Sequence, residues 1–186
     1  MSFNIDRFIH QGLPFGGARP SQFEVIINSP QASINDAKFT VHCEAASLPP
    51  SMVSSIDVFY FGRPIKVAGD RVYPDWDVQV ILDEDFSTRA ILERWSNLIN
   101  NSVGNIRTSA LPIEGYKMDA VVRQFGKQGN IIREYTLVNL WPSMVEPIQT
   151  DWNAVNRISK YGVRFCYDYW IPSIEGERDS FLSEIE

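Results

Sequence analysis

The feature that most limits what this chain can fold into is its period of two. Phe23, Val25 and Ile27 interleave with Gln22, Glu24 and Ile26, and Trp76, Val78, Val80 and Leu82 interleave with Asp75, Asp77 and Gln79. Tyr161, Val163, Phe165, Tyr167 and Tyr169 alternate with Lys160, Gly162, Arg164 and Asp168. Phe39, Val41, Cys43 and Ala45 alternate with Thr40, His42 and Glu44. Successive side chains of a strand point to opposite faces, so each run reads as a strand with one face in a core.

Two further elements follow from pattern. Strand-like runs between Tyr116 and Leu140 flank Gly126-Lys127-Gln128-Gly129-Asn130, whose glycines permit the positive φ of a hairpin loop. From Ser87 to Asn100 the period changes. Ile91, Leu92, Trp95, Leu98 and Ile99 fall on one face of a helix, with Asp85 or Ser87 available to cap its start and Asn100-Asn101 to end it. The fold class predicted is mainly β, a barrel or sandwich with one amphipathic helix that plugs an open end or edge.

Residues 1–20 read as an N-terminal arm, broken by Gly12, Pro14, Gly16, Gly17 and Pro20. Residues 21–170 read as one β domain, and 171–186 as an acidic tail. Within the domain, 46–71 stands apart. Leu48-Pro49-Pro50 cannot continue a ladder strand, because proline lacks the donor. Ile56 to Phe61 and Ile65 to Val67 then read as short strands joined at Gly62-Arg63-Pro64. This excursion carries Phe59, Tyr60 and Phe61 in a row. It is either a hairpin folded back on its own core or an arm that buries those rings against a neighbouring subunit.

Composition excludes several classes. At 186 residues, with 44% hydrophobic and 22% charged, the chain can build a core and is not disordered over its length. The net charge of −6 comes without a Lys/Arg cluster, which argues against non-specific nucleic-acid binding. Five acids against one base lie in 171–186, so the body carries only −2 of the −6. No apolar run approaches the roughly 18 residues of a spanning helix. No signal-peptide pattern is present, and the expectation is a protein made in a cytoplasm.

No constellation for chemistry is visible, and the expectation is a protein that is not an enzyme and has no cofactor or metal. His10 lies in the arm and His42 stands alone; HExxH, CxxC, GxSxG and a phosphate loop are missing. Cys43 and Cys166 read as small buried hydrophobes. Asp83-Glu84-Asp85 reads as a solvated turn whose last acid complements the helix start, and Asp75 with Asp77 as a polar outer face. Trp76, Trp95 and Trp152 read as structural, the last as the anchor of an Asp151-Trp152-Asn153 turn.

Several short motifs, in order, resemble the tail tube proteins of contractile-tailed bacteriophages. They are Ala18-Arg19-Pro20 with Phe23-Glu24-Val25; Ala46 to Pro49; Val67-Ala68-Gly69-Asp70-Arg71 with Asp75 to Val80; Arg123-Gln124-Phe125; Leu140-Trp141-Pro142; Asp151-Trp152; and Tyr167-Asp168-Tyr169-Trp170. The resemblance covers about residues 18–170 and does not extend to the tail at 171–186. It implies a structural virion protein that self-assembles as hexameric rings stacked into the inner tube of a contractile tail, the conduit for genome ejection. The fold is shared with type VI secretion tubes. The implied partners are the chain itself, the tail sheath protein, the baseplate initiator and the tail terminator. Tape measure protein and genomic DNA would pass through the lumen without specific binding.

On this resemblance Leu48, Pro49, Phe59, Tyr60 and Phe61 are expected at inter-ring contacts. Lumen strands are expected near 38–45, 56–67, 116–125 and 131–138, with Thr40, His42, Glu44, Asp119, Glu134 and Thr136 facing the bore and Lys117 and Arg123 on the same face as Asp119. A neutral to negative wall would let DNA slide by denying phosphates cationic partners. Two alternatives are a tube-initiator or secretion-tube subunit of the same fold, and a β-sandwich ligand-binding module with Trp141 and Trp152 as stacking platforms.

Overall fold

Strand β7 (Ile131–Val145) organises the molecule, and the computed structural model describes residues 5–13, 16–30, 36–107 and 115–173 around it. Its first half pairs with β6 (Met118–Phe125) and β9 (Tyr169–Ser173); its second half pairs with β8 (Lys160–Cys166). Between the halves Asn139 takes φ 60°, a left-handed conformation that asparagine tolerates better than most residues. One strand thereby serves two pairing directions. The antiparallel order is β1 (Phe23–Ile27), β6, β7, β8, β5 (Trp76–Ile81) and β2 (Cys43–Ala46). The end strands β1 and β2 approach each other, and helix α2 (Asp36–His42) packs on β1, β2 and β5. The sheet therefore curls toward a barrel, with α2 at its seam.

The inward residues of the alternating runs form the core. Val25, Ile27, Trp76, Val78, Val80, Ala120, Val122, Leu137, Tyr161, Val163 and Phe165 are all buried. Phe165 sits among the rings of Trp76, Trp95 and Phe39, with centroids 5.8, 6.4 and 6.5 Å away. Helix α3 (Ser87–Ile99) buries Leu92 and Trp95, and the Trp95 indole N–H donates to the Tyr116 carbonyl at 2.7 Å. Thr88, also buried, accepts from the Tyr161 hydroxyl. At the helix start, Asp85 accepts the Ser87 N–H at 2.9 Å and pairs with Lys38 of α2. The hydrogen bond from Lys38, then those from Ser87, hold the Asp85 carboxyl well below the usual carboxylate range.

Three expectations change. The run 38–45 is not one strand: α2 ends at His42 and β2 begins at Cys43. Phe39 and Cys43 satisfy a helical spacing of four as well as a strand spacing of two. Val41 decides between them, for it would share their buried face in a strand and is instead 79% exposed. In the arm, Ile5 to Gly12 is helical (α1, Ile5–Arg7, then a π-type turn), because the breakers begin only at Gly12. The excursion at 46–71 is a longer hairpin than its pattern indicates. β3 (Met52–Tyr60) and β4 (Arg63–Val72) turn at Phe61-Gly62, and Pro64 lies within β4 opposite Phe59. The acidic tail from 174 onward lies outside the described residues.

Candidate assembly interface

Among the described residues the β3–β4 hairpin has no partner sheet: its strands pair with each other. One face carries Ile56, Val58, Ile65 and Val67, as the pairings Ile56↔Val67 and Val58↔Ile65 require, while Asp57, Lys66 and Phe59 lie on the other. Val53, Ile56, Val58, Ile65 and Val67 are each about half exposed. A two-stranded hairpin alone in water is marginal. Internal support comes from the Ser54 hydroxyl, which donates to the Asp70 carbonyl at 2.9 Å beside a register shift, where Gly69 leaves room that a Cβ would take from Ser54.

The tip breaks a local rule. Tyr60 pairs with Arg63, leaving a two-residue loop in which Phe61 has φ 46° and Gly62 φ 78°. Positive φ at both positions defines the type I′ turn, whose twist suits a hairpin and whose preferred sequence is Asn-Gly. A bulky aromatic there is strained. Phe61 is also 91% exposed, with Tyr60 and Phe59 at 66% and 70% beside it. Its only described ring contact is with the adjacent Tyr60, edge-on at 4.6 Å.

The root, by contrast, is tied down. The Trp76 indole N–H donates to the Ser47 carbonyl at 2.7 Å, and the Trp170 indole N–H to the Pro50 carbonyl at 2.9 Å. On the return side the Tyr73 ring meets Tyr167 at 6.1 Å. Of the expected contact residues, Phe59, Tyr60 and Phe61 thus stand together at an exposed tip, and Leu48 is partly exposed. Pro49 is buried at the root, which corrects its expected place in an inter-ring contact.

The expected bore residues divide. Asp119, Glu134 and Thr136 share one face of β6–β7, as the pairings Val121↔Thr136 and Arg123↔Glu134 require. Asp119 is exposed and accepts the Asn139 N–H at 3.0 Å. Glu134 is buried, which corrects its place on a bore wall. It accepts from Arg123 at 2.6 Å and from Ser173 at 3.2 Å. Arg123 also reaches Glu24 at 3.4 Å, so a polar row crosses β1, β6, β7 and β9. The Glu134 hydrogen bond is the main cause that raises the Arg123 pKa. Lys117 is likewise paired, with Asp168 at 3.0 Å, and holds that carboxyl below its ordinary value. Thr40 and His42 lie on α2, so their placement on an inner strand is overturned. Glu44 is exposed on β2, at the other end of the strand order from β1, and pairs with Lys160.

Among the described residues no three His, Cys, Asp or Glu side chains come together to hold a metal ion, and no helix is long and apolar enough to cross a membrane. Asp77 pairs with Arg164 at 2.8 Å, and Asp75 accepts from Cys166 Sγ at 3.2 Å. Both thiols are free; burial pushes that of Cys43 up to about 12. Trp152 is fully exposed, a correction to its expected role as an anchor, with Val155 and Ile158 exposed nearby in sequence. Trp141 is half buried and meets Tyr116 edge-on.

A curled antiparallel barrel with helices packed against it and an exposed apolar hairpin defines a mainly β protein with a candidate contact surface. The family model described as "Phage tail tube protein" matches residues 18–173, and the chain belongs to that family. It is 36% identical over 154 residues to the tail tube protein gp19 of Enterobacteria phage T4, covering 82% of this chain and 90% of that protein. Two solved structures share the fold. One is the sheath/tube terminator of an extracellular contractile injection system (PVC) in the extended state, with TM-score 0.62 at 13% identity over 85% of this chain and 97% of that one. The other comes from the sheath–tube complex of the same system, with TM-score 0.56 at 13% identity over 92% and 99%.

Proposed function

We propose that this chain polymerises, through its β3–β4 hairpin, into the inner tube of a contractile phage tail. The observation that carries the reading is the exposed apolar hairpin with Phe61 held in a strained turn. Those side chains are left about half or more exposed in the protomer, and burial against another copy would cover them. Hexameric rings that stack into a conduit for DNA are part of this reading, which the match to the phage tail tube family and to the T4 tail tube protein supports. A sheath, a baseplate initiator and a terminator are the corresponding partners; of the two solved structures, one is a sheath/tube terminator and the other belongs to a sheath–tube complex. Location in the virion, after assembly in the host cytoplasm, belongs to the same reading.

For the bore we propose the β6–β7 face that carries Asp119 and Thr136. Its cations support this: Arg123 and Lys117 are each engaged by carboxylates, so neither offers passing phosphates a free charge. The test is negative-stain microscopy of the purified chain beside a Phe59→Ser/Phe61→Ser variant. The wild type should give rings stacked into tubes, and the variant unstacked rings or protomers. Equal polymerisation of both would remove the hairpin tip from the interface.

A further inference from the structure

The hairpin projects without support along its length, yet its root is gripped at three places by residues far away in sequence. Ser47 is held by Trp76 of β5, Pro50 by Trp170 of β9, and Tyr73 rests on Tyr167 at the end of β8. The two indoles come from strands in different parts of the sheet, since β5 pairs with β8 and β2 while β9 pairs with β7. Between the gripped carbonyls lies Pro49, which is buried, and Pro50 carries the second of them. Proline fixes its own φ and restricts the residue before it, so the gripped segment is stiff. An indole N–H only donates, and its direction is set by the packing of the ring. Trp76 is wholly buried against Phe165, and Trp170 lies edge-on to Tyr135 at 5.4 Å. A hairpin held on one connecting segment can swivel; one held on both, at Ser47 and Pro50 before β3 and at Tyr73 after β4, is restrained.

We infer that Trp170 and Trp76 are positioning residues for assembly. Their indole N–H groups fix the angle at which the β3–β4 hairpin leaves the barrel, so the tip is presented in register before it meets another copy. The inference rests on the reading of the hairpin as the assembly arm. It also gives a task to Trp170, the last residue of the Tyr167–Trp170 motif, which the interface itself leaves unused. Preorganisation of this kind lowers the ordering cost of association and leaves the contact surface unchanged.

The test separates angle from contact. Spin labels are placed on cysteines introduced at Lys66 of β4 and Ser96 of α3, in a Cys166→Ser chain. The distance distribution is then measured on protomers kept dilute. Trp170→Phe keeps a ring against Tyr135 and removes the donor. The expected result is a broadened tip-to-body distribution with an unchanged melting temperature of the barrel, and a threshold concentration for tube growth raised about fivefold. If Trp170→Phe disturbs the barrel, replacement of Trp170 by benzothienylalanine, which keeps the bicyclic shape and lacks only the N–H, gives the same comparison. An unchanged distance distribution in a folded variant overturns the inference. Normal stacking by Phe59→Ser/Phe61→Ser would instead overturn the reading of the tip, and the distance measurement would still decide whether the root is a clamp.

Discussion

Phe61→Asn should move two measurements in opposite directions. Asparagine accepts the left-handed conformation that Phe61 occupies at φ 46°, and Asn-Gly is the preferred type I′ pair. Relief of that strain stabilises the hairpin by about 1 kcal/mol. Among the described residues the hairpin pairs with no other strand, so the gain should appear in its own opening. Amide exchange across Met52–Val72 should slow about fivefold, while the barrel's melting temperature stays where it was. Assembly should suffer. A phenylalanine side chain offers about 200 Å², of which 91% is exposed here, so complete burial would be worth at most about 4–5 kcal/mol at about 25 cal/mol per Å². Partial burial and the cost of docking reduce that to about 2 kcal/mol, or about 30-fold in the threshold concentration for tube growth. The threshold is read by light scattering and confirmed by microscopy. A variant that exchanges more slowly and also assembles as well as wild type would refute the argument, because Phe61 would then have neither a local nor an intermolecular reason to be there.

Other outcomes follow from the same structure. Trp95→Ala should lower the barrel's stability by about 3–5 kcal/mol in denaturant unfolding, whereas Trp152→Ala, at a fully exposed side chain, should leave it within about 0.5 kcal/mol. The Lys117 bond holds the Asp168 pKa below its unfolded value, so that carboxylate stabilises the fold above about pH 4 and ceases to as pH falls through its folded pKa. The difference in melting temperature between wild type and Asp168→Asn should therefore be present at pH 7 and vanish in acid. Asp119→Lys should leave tubes intact and slow DNA release from virions at low salt more than at high salt, since it adds a free cation to the proposed bore in every subunit.

The parts of the fold visible in the sequence are those where one period dominates. Val25, Ile27, Trp76, Val78, Val80, Tyr161, Val163 and Phe165 are buried as their alternation requires, and Leu92 and Trp95 as the helical spacing requires. Residues 38–45 misled because Phe39 and Cys43 fit both periods, and only the exposure of Val41 separates them. Glu134 looked like a wall residue because strand alternation gives its face but not its burial, which depends on Arg123 across the ladder and Ser173 beyond it. The aromatic cluster at Phe59–Phe61 was legible; its turn was not, because Gly62-Arg63-Pro64 carries stronger breaker signals than Phe61-Gly62. The indole bonds at the root could not be read at all, since Trp170 and Pro50 are separated by 120 residues and no local pattern links them.

A sequence that obeys its local rules almost everywhere points to function where it breaks them. In the barrel the rules mostly hold: the inward residues of the alternating strands are apolar, the charges at Asp77, Arg123, Lys117 and Asp85 all have partners, and the exception is Phe86, at φ 53° where the chain enters α3. In the hairpin they fail together. Apolar side chains stand exposed along one face, and an aromatic at the tip occupies a backbone position that favours asparagine. A folding requirement would have produced neither, because each raises the free energy or the aggregation tendency of the isolated protomer. The root shows that the hairpin is nonetheless held in place, with three anchors where a dispensable loop would need none. A segment that is costly to its own protomer and firmly oriented by it is built for contact with another, and that is the requirement a polymerising tube places on its subunit.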